Sequence, residues 1–245
     1  MGIVYKTKGG AAEYAPLAFN MYLGCTFGCR YCYGPATLRK MPVVFKAGAD
    51  PKENAIGRLQ KDVGKLDGTQ EVLLSFIGDP YQPEEAEYRL TRQALKVLMA
   101  ANIPCTVLTK AGRLAERDLD LLASHPRARL GVSLAWCCDD GNREYWEPGA
   151  ATVEARKDLL VKAWMNGVKT WVSMEPVIIP AHALELIREM HSIVDFWHIG
   201  KLNHFPQVEK HIDWRRFKLE ARGLLEDVGA AYRFKESLKE YEPQR

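Results

Sequence analysis

Runs of apolar residues alternate along the chain with segments whose apolar positions recur at helical spacing, a rhythm that predicts β-strands joined by crossover helices in a mainly parallel sheet. Six strands are predicted, at 17–24, 71–78, 104–110, 128–135, 169–178 and 195–202, with helices at 51–65, 84–100, 115–123, 153–165 and 181–191. Right-handed βαβ units of this kind fan into a doubly wound sheet or curl into a full or partial barrel. In either arrangement ligands bind at the carboxyl ends of the strands. Reactive residues collect at those ends. A segment with three cysteines follows the first strand, Gly78 and Asp79 close the second, Lys110 ends the third, Ser133 lies near the end of the fourth, Glu175 lies in the fifth, and Lys201 with Asn203 ends the sixth. Beyond Gln207 a terminal helix bearing Trp214, Phe217 and Leu224 is predicted to pack as a lid, whereas 231–238 receives no assignment.

A length of 245 residues suits one α/β domain, and 47% hydrophobic with 27% charged residues is ordinary for a globular chain. The formal charge of +3 permits a polyanionic partner without requiring one. The first ten residues lack the apolar core of a signal peptide, and no run approaches the roughly 18 apolar residues of a membrane span, so a cytoplasmic protein is expected. Three of the six cysteines fall within eight positions, which favours metal ligation in a reducing compartment over a disulfide framework.

Those three, Cys25, Cys29 and Cys32, have the spacing C-x3-C-x2-C. A four-iron cubane is usually held by four thiolates, so three on one loop leave one iron open to an exogenous donor. Gly24, Gly28 and Gly34 let the loop turn tightly around a [4Fe-4S] cluster. Zinc and plain packing are the alternatives. Structural zinc normally takes four ligands, and no second C-x2-C pair follows; packing explains one or two apolar cysteines better than three at this interval.

The motif C-x3-C-x-aromatic-C after a first strand resembles the radical S-adenosylmethionine (SAM) superfamily. The segments 75–83 (SFIGDPYQP), 108–110 (LTK), 146–149 (WEPG) and 173–178 (SMEPVI) resemble its branch related to spore photoproduct lyase. The resemblance implies a partial (β/α)6 barrel with a core at about 17–205 and a C-terminal helical extension at about 206–245, within one domain spanning 1–245. It also implies that the open iron chelates SAM, that one-electron reduction by a flavodoxin- or ferredoxin-type partner yields a 5′-deoxyadenosyl radical, and that this radical takes hydrogen from substrate. Carried over, Gly78 and Asp79 match the motif that receives the cofactor ammonium, Tyr31 the aromatic that contacts adenine, and Lys110 the strand-end lysine that meets the carboxylate. Ser133 matches a ribose or carboxylate contact, and Glu175 a contact to cofactor or substrate.

One departure bears on the reaction. Where spore photoproduct lyase carries a hydrogen-donor cysteine, this chain reads Phe76-Ile77, which speaks against repair of DNA photoproducts by that route. Cys137 and Cys138, after the fourth strand, are the candidate replacement donors, with a second cluster or inert thiols as alternatives. Branch membership, the tryptophans and the Arg215-Arg216 pair point to nucleic acid as substrate. A peptide, a protein glycine or a small metabolite suits an open barrel equally. A non-enzymatic metal or redox module would have no use for the strand-end set of Asp79, Lys110, Ser133 and Glu175.

Overall fold

A computed structural model describes residues 2–241, so residue 1 and residues 242–245 of the expected 1–245 unit lie outside the described residues. In chain order its strands are β1 (Val4–Lys6), β2 (Leu17–Phe19), β3 (Tyr22–Leu23), β4 (Asp50–Pro51), β5 (Val72–Leu74), β6 (Cys105–Thr109), β7 (Ala128–Ser133), β8 (Lys169–Val177), β9 (Phe196–Lys201) and β10 (Tyr232–Phe234). Eight of these form one sheet in the order β1-β2-β5-β6-β7-β8-β9-β10. The pairs from β2 to β10 are all parallel, and only β1 runs antiparallel to its neighbour. The six predicted strands are its unbroken centre.

The differences from expectation have local causes. The predicted strand 17–24 stops at Phe19 because the Asn20 side chain turns to cap the next crossing, its Oδ1 accepting from the backbone N–H groups of Phe76 (2.8 Å) and Ile77 (3.0 Å). Tyr22–Leu23 then pairs with Asp50–Pro51 in a separate antiparallel ribbon. The predicted helix 84–100 breaks at Arg89, whose φ is 52°, into Glu85–Tyr88 and Leu90–Ala100. The helix expected at 115–123 is two pieces, Arg113–Glu116 and Leu119–Ser124, with Asp118 buried between them against Arg92 and Arg117. Val153–Met165 matches its prediction, begun by the Thr152 hydroxyl accepting from the Ala155 amide. The C-terminal extension is not purely helical. After the helix Trp214–Asp227 it adds β10 to the sheet and ends in the short helix Glu236–Lys239.

Alternate strand residues serve different faces, as the period of two requires. Val72, Leu74, Val107, Leu130, Val132, Val172, Met174 and Ile199 join the large core beneath the helices. Ala18, Leu73 and Trp171 face the other way with Tyr14 and Ala15. Trp171 lies across Gly131, where any side chain would collide with the indole, and its N–H donates to Thr106 Oγ1 at 2.8 Å. The same inner face begins with the Arg129–Glu71 ion pair (2.5 Å) and becomes polar again toward the carboxyl ends, at Lys110, Ser133, Ser173 and Glu175.

Candidate functional site

The polar end of this inner face opens into a cavity of about 810 Å³. Its lining includes Cys25, Cys29, Cys32, Tyr31, Gly78, Asp79, Lys110, Ser133 and Glu175, nine residues singled out in the sequence that lie on the cysteine loop, in the turns after β5 and β6, and on β7 and β8. Lys201 and Asn203, also singled out, line it too, whereas Cys137 and Cys138 are not among the lining residues.

The cysteine loop is held by the segments that flank it. The Cys25 amide donates to Phe45 O (2.9 Å), the Thr26 amide to Gln82 Oε1 (3.1 Å), and the Arg30 amide to Trp146 O (2.8 Å). Gly24 and Gly78 adopt φ of 107° and 85°. A Cβ on Gly78 would stand 2.8 Å from Gly24 O, and one on Gly24 would collide with Gly48 O, so the β5 end and the cysteine loop approach as closely as backbone allows. The motif 75–83 therefore supplies the wall against which the loop is built.

Burial pushes the Cys25 thiol up, and it pushes Cys29 up to about 12 even though the Lys110 ammonium pulls the other way. Thiolates here call for a cation, which a metal centre supplies on binding. Three cysteines converging from one tight loop fit a cluster, and a further group fits beside them. The Ser75 hydroxyl, at the end of β5 on the cavity wall, is buried with no hydrogen-bond partner among the described residues.

Asp79 is 7% exposed and accepts three hydrogen bonds, which leaves one acceptor position on Oδ2. Its Oδ1 accepts from the Tyr81 amide (2.8 Å) and the Thr109 hydroxyl (2.6 Å), and its Oδ2 from the Lys110 amide (2.7 Å). Burial raises its pKa while these three bonds work against the rise. The turn role and the cavity role coincide, because the side chain joins the ends of β5 and β6 while lining the cavity.

Lys110 extends its ammonium to Ser133 Oγ (2.6 Å) and 5.6 Å from the Tyr31 ring centre. The Tyr31 hydroxyl donates to Glu147 Oε1, and Glu147 Oε2 pairs with Arg156 at 2.6 Å, both residues being buried. Burial pushes Glu147 up, but the Arg156 guanidinium and the Lys110 ammonium outweigh it and hold the carboxyl below the usual range. On the far side, Glu175 Oε2 accepts from Tyr14 (2.6 Å) and Lys235 (2.5 Å), while Tyr14 also meets Ser173 (2.8 Å). His198, packed between Tyr14, Trp171 and Phe196, is kept neutral, its pKa lowered to about 3 by burial and by Lys235, Arg129 and Arg233.

Sequence reasoning missed Tyr14, Glu147, Arg156 and Lys235. Glu147 stands inside the quoted WEPG motif, and its charge in an apolar setting was the available signal; Lys235 lies in the unassigned stretch 231–238.

The family model of the Radical SAM superfamily matches residues 19–194. An uncharacterised protein of Methanocaldococcus jannaschii, MJ0683, is 28% identical over 200 residues, covering 80% of this chain and 73% of its own. Rv2578c of Mycobacterium tuberculosis is 31% identical over 183 residues, covering 71% of this chain, which spans about half (53%) of the mycobacterial protein. Among solved structures, spore photoproduct lyase complexed with dinucleoside spore photoproduct superposes with a TM-score of 0.68 at 15% identity, over 94% of this chain and 79% of the lyase. SuiB of Streptococcus suis bound to S-adenosylmethionine also gives 0.68, at 13% identity, over 92% of this chain and 52% of SuiB. At such identities these likenesses speak for the fold.

Proposed function

This chain belongs to the radical SAM superfamily, and from that premise we propose that it is an enzyme holding a [4Fe-4S] cluster on Cys25, Cys29 and Cys32, with SAM and substrate in the cavity beside them. One observation carries the proposal. The three thiols and Tyr31 open onto the same cavity as Asp79, Lys110, Ser133 and Glu175, although these four follow or lie on four different strands. When bound, cluster and cofactor supply a one-electron cleavage of SAM and a primary carbon radical that takes hydrogen from substrate.

The protein's own residues do the rest. The Lys110 ammonium, held by Ser133, meets the cofactor carboxylate. Asp79 and the Ser75 hydroxyl offer acceptors for its ammonium at the end of β5. The Glu147–Arg156 pair fixes Tyr31, which bounds the adenine side. Phe76, Tyr33 and Leu108 line the cavity with apolar surface and limit water around the reacting carbon. The electron comes from an external flavodoxin- or ferredoxin-type donor.

For the substrate we favour an anionic molecule of the nucleic-acid class, because Lys6, Lys8 and His204 join Lys110 on the cavity lining. The structural neighbours support either of two classes, since the lyase was solved with a dinucleoside lesion and SuiB with its precursor peptide. Phe76 and Ile77 line the cavity where a donor thiol was sought, which favours a product other than the lyase's. Anaerobic reconstitution followed by detection of 5′-deoxyadenosine tests the activity, and isotope transfer from labelled oligonucleotides and peptides tests the substrate class.

A further inference from the structure

Outside the cavity lining, where the loop after β7 meets the helix Pro180–Met190, a second group of metal-type ligands converges. Neighbouring residues in extended chain project to opposite sides, but the backbone bends at Cys137 and Cys138 and brings their sulfurs to 3.8 Å. A ring nitrogen of His182 joins them, all three donor atoms lying within 4.8 Å of one another. Two thiolates bound at about 2.3 Å to a tetrahedral zinc ion stand about 3.8 Å apart. The sulfur spacing is therefore already that of a bound pair.

The imidazole carries an independent sign. His182 Nε2 lies 3.4 Å from Asp140 Oδ2, while Nδ1 is buried with no hydrogen-bond partner among the described residues. A metal-bound histidine commonly donates its outer N–H to a carboxylate, which fixes the ring and leaves the other nitrogen's lone pair for the ion. Trp136 packs edge-on to the His182 ring at 5.9 Å. The loop is also anchored without metal. Lys157 Nζ, on the helix Val153–Met165, donates to Cys137 O (2.7 Å) and pairs with Glu189 of the helix Pro180–Met190 (2.5 Å), and Asp139 accepts from Arg143 Nε (2.7 Å) and the Val153 amide (2.8 Å).

A vicinal disulfide is the competing use of two such thiols. Adjacent Cα atoms are about 3.8 Å apart, closer than the roughly 4.4–6.8 Å that disulfides span. Ligation involves no such strain, and with Cys138 exposed a fourth position is left to solvent.

We propose that Cys137, Cys138 and His182 form a mononuclear site for a borderline-soft divalent ion of the zinc class, with Asp140 orienting the imidazole. The site pins the loop after β7 to the helix Pro180–Met190, and it stands independently of the SAM chemistry. The test uses the full chain with Cys25, Cys29 and Cys32 changed to Ala, so that competing thiols are absent, and reads zinc content, Co²⁺ thiolate absorption and thermal midpoint. One ion per chain is expected, with a midpoint that rises on zinc addition. Cys138→Ser, at an exposed position, should abolish stoichiometric binding, and Asp140→Asn should weaken it by about 10- to 100-fold. As a second measurement, cluster-loaded native chain should carry zinc in addition to iron, and its Cys138→Ser variant iron alone. Absence of zinc and Co²⁺ binding, binding that survives Cys138→Ser, iron with sulfide on these thiols, or a Cys137–Cys138 disulfide persisting under reductant would each overturn the proposal.

Discussion

Lys110 Nζ donates to Ser133 Oγ over 2.6 Å, so the ends of β6 and β7 together aim one ammonium into the cavity. Lys110→Ala should weaken SAM binding by about one to two decades, the worth of a lost charged hydrogen bond of roughly 1.5–3 kcal/mol, with iron content unchanged. Equilibrium binding beside an iron assay reads both. Unaltered affinity would assign Lys110 to the protein's own hydrogen bonding.

Arg156→Leu should be costly, because it leaves the Glu147 carboxylate 3% exposed without its guanidinium partner. A destabilisation of roughly 3–5 kcal/mol is expected from denaturant unfolding. The pH dependence has a definite sign. Glu147 is held below the usual carboxyl range, so its contribution is complete above the unfolded-chain value and disappears as pH falls through the depressed one. Arg156→Leu should diminish or reverse that acid loss, because burial, the largest influence on Glu147, is then less opposed.

His198 supplies a second pH signature. Its pKa falls from 6.5 in the unfolded chain to about 3 in the fold, so between these values the unfolded state binds the extra proton. Stability should be full above 6.5 and should decline as pH falls toward 3, and His198→Phe should flatten that slope. An unchanged slope would place the titration elsewhere.

Gly78→Ala tests the contact between the β5 end and the cysteine loop. With φ at 85° and Gly24 O 2.8 Å from the new methyl carbon, the loop must shift. Iron uptake after reconstitution should drop well below that of the parent. Parental uptake would show that the loop adapts.

The sequence made the six central strands legible because each is a largely apolar run, several with a polar residue at or near the carboxyl end, among them Asp79, Lys110, Ser133 and Lys201. That rule picked Gly78, Asp79, Lys110, Ser133 and Glu175, and the cysteine spacing with the family resemblance added Cys25, Cys29, Cys32 and Tyr31, before any contact was known. It failed where long-range partners decide. Lys235 enters the site only because β10 pairs with β9, and Tyr14 only because a segment between β1 and β2 folds over Trp171. No local pattern announces either event. The two edge strands of the sheet, β1 and β10, have three residues each, too few for periodicity to register. Cys137 and Cys138 were visible as an unusual pair, but their approach to His182, more than forty residues away in sequence, depends on how the helix Pro180–Met190 docks.

The central claim is that Cys25, Cys29 and Cys32 hold a cluster that cleaves SAM. Its most direct measurement is on the full chain reconstituted without oxygen, reading iron, the EPR spectrum of the reduced protein with and without SAM, and 5′-deoxyadenosine. About four irons per chain, a spectrum that changes on adding SAM, and product that vanishes in each single Cys→Ala variant at 25, 29 or 32 are the results expected. Zinc in place of iron, or iron at full occupancy with neither spectral change nor 5′-deoxyadenosine, would contradict it.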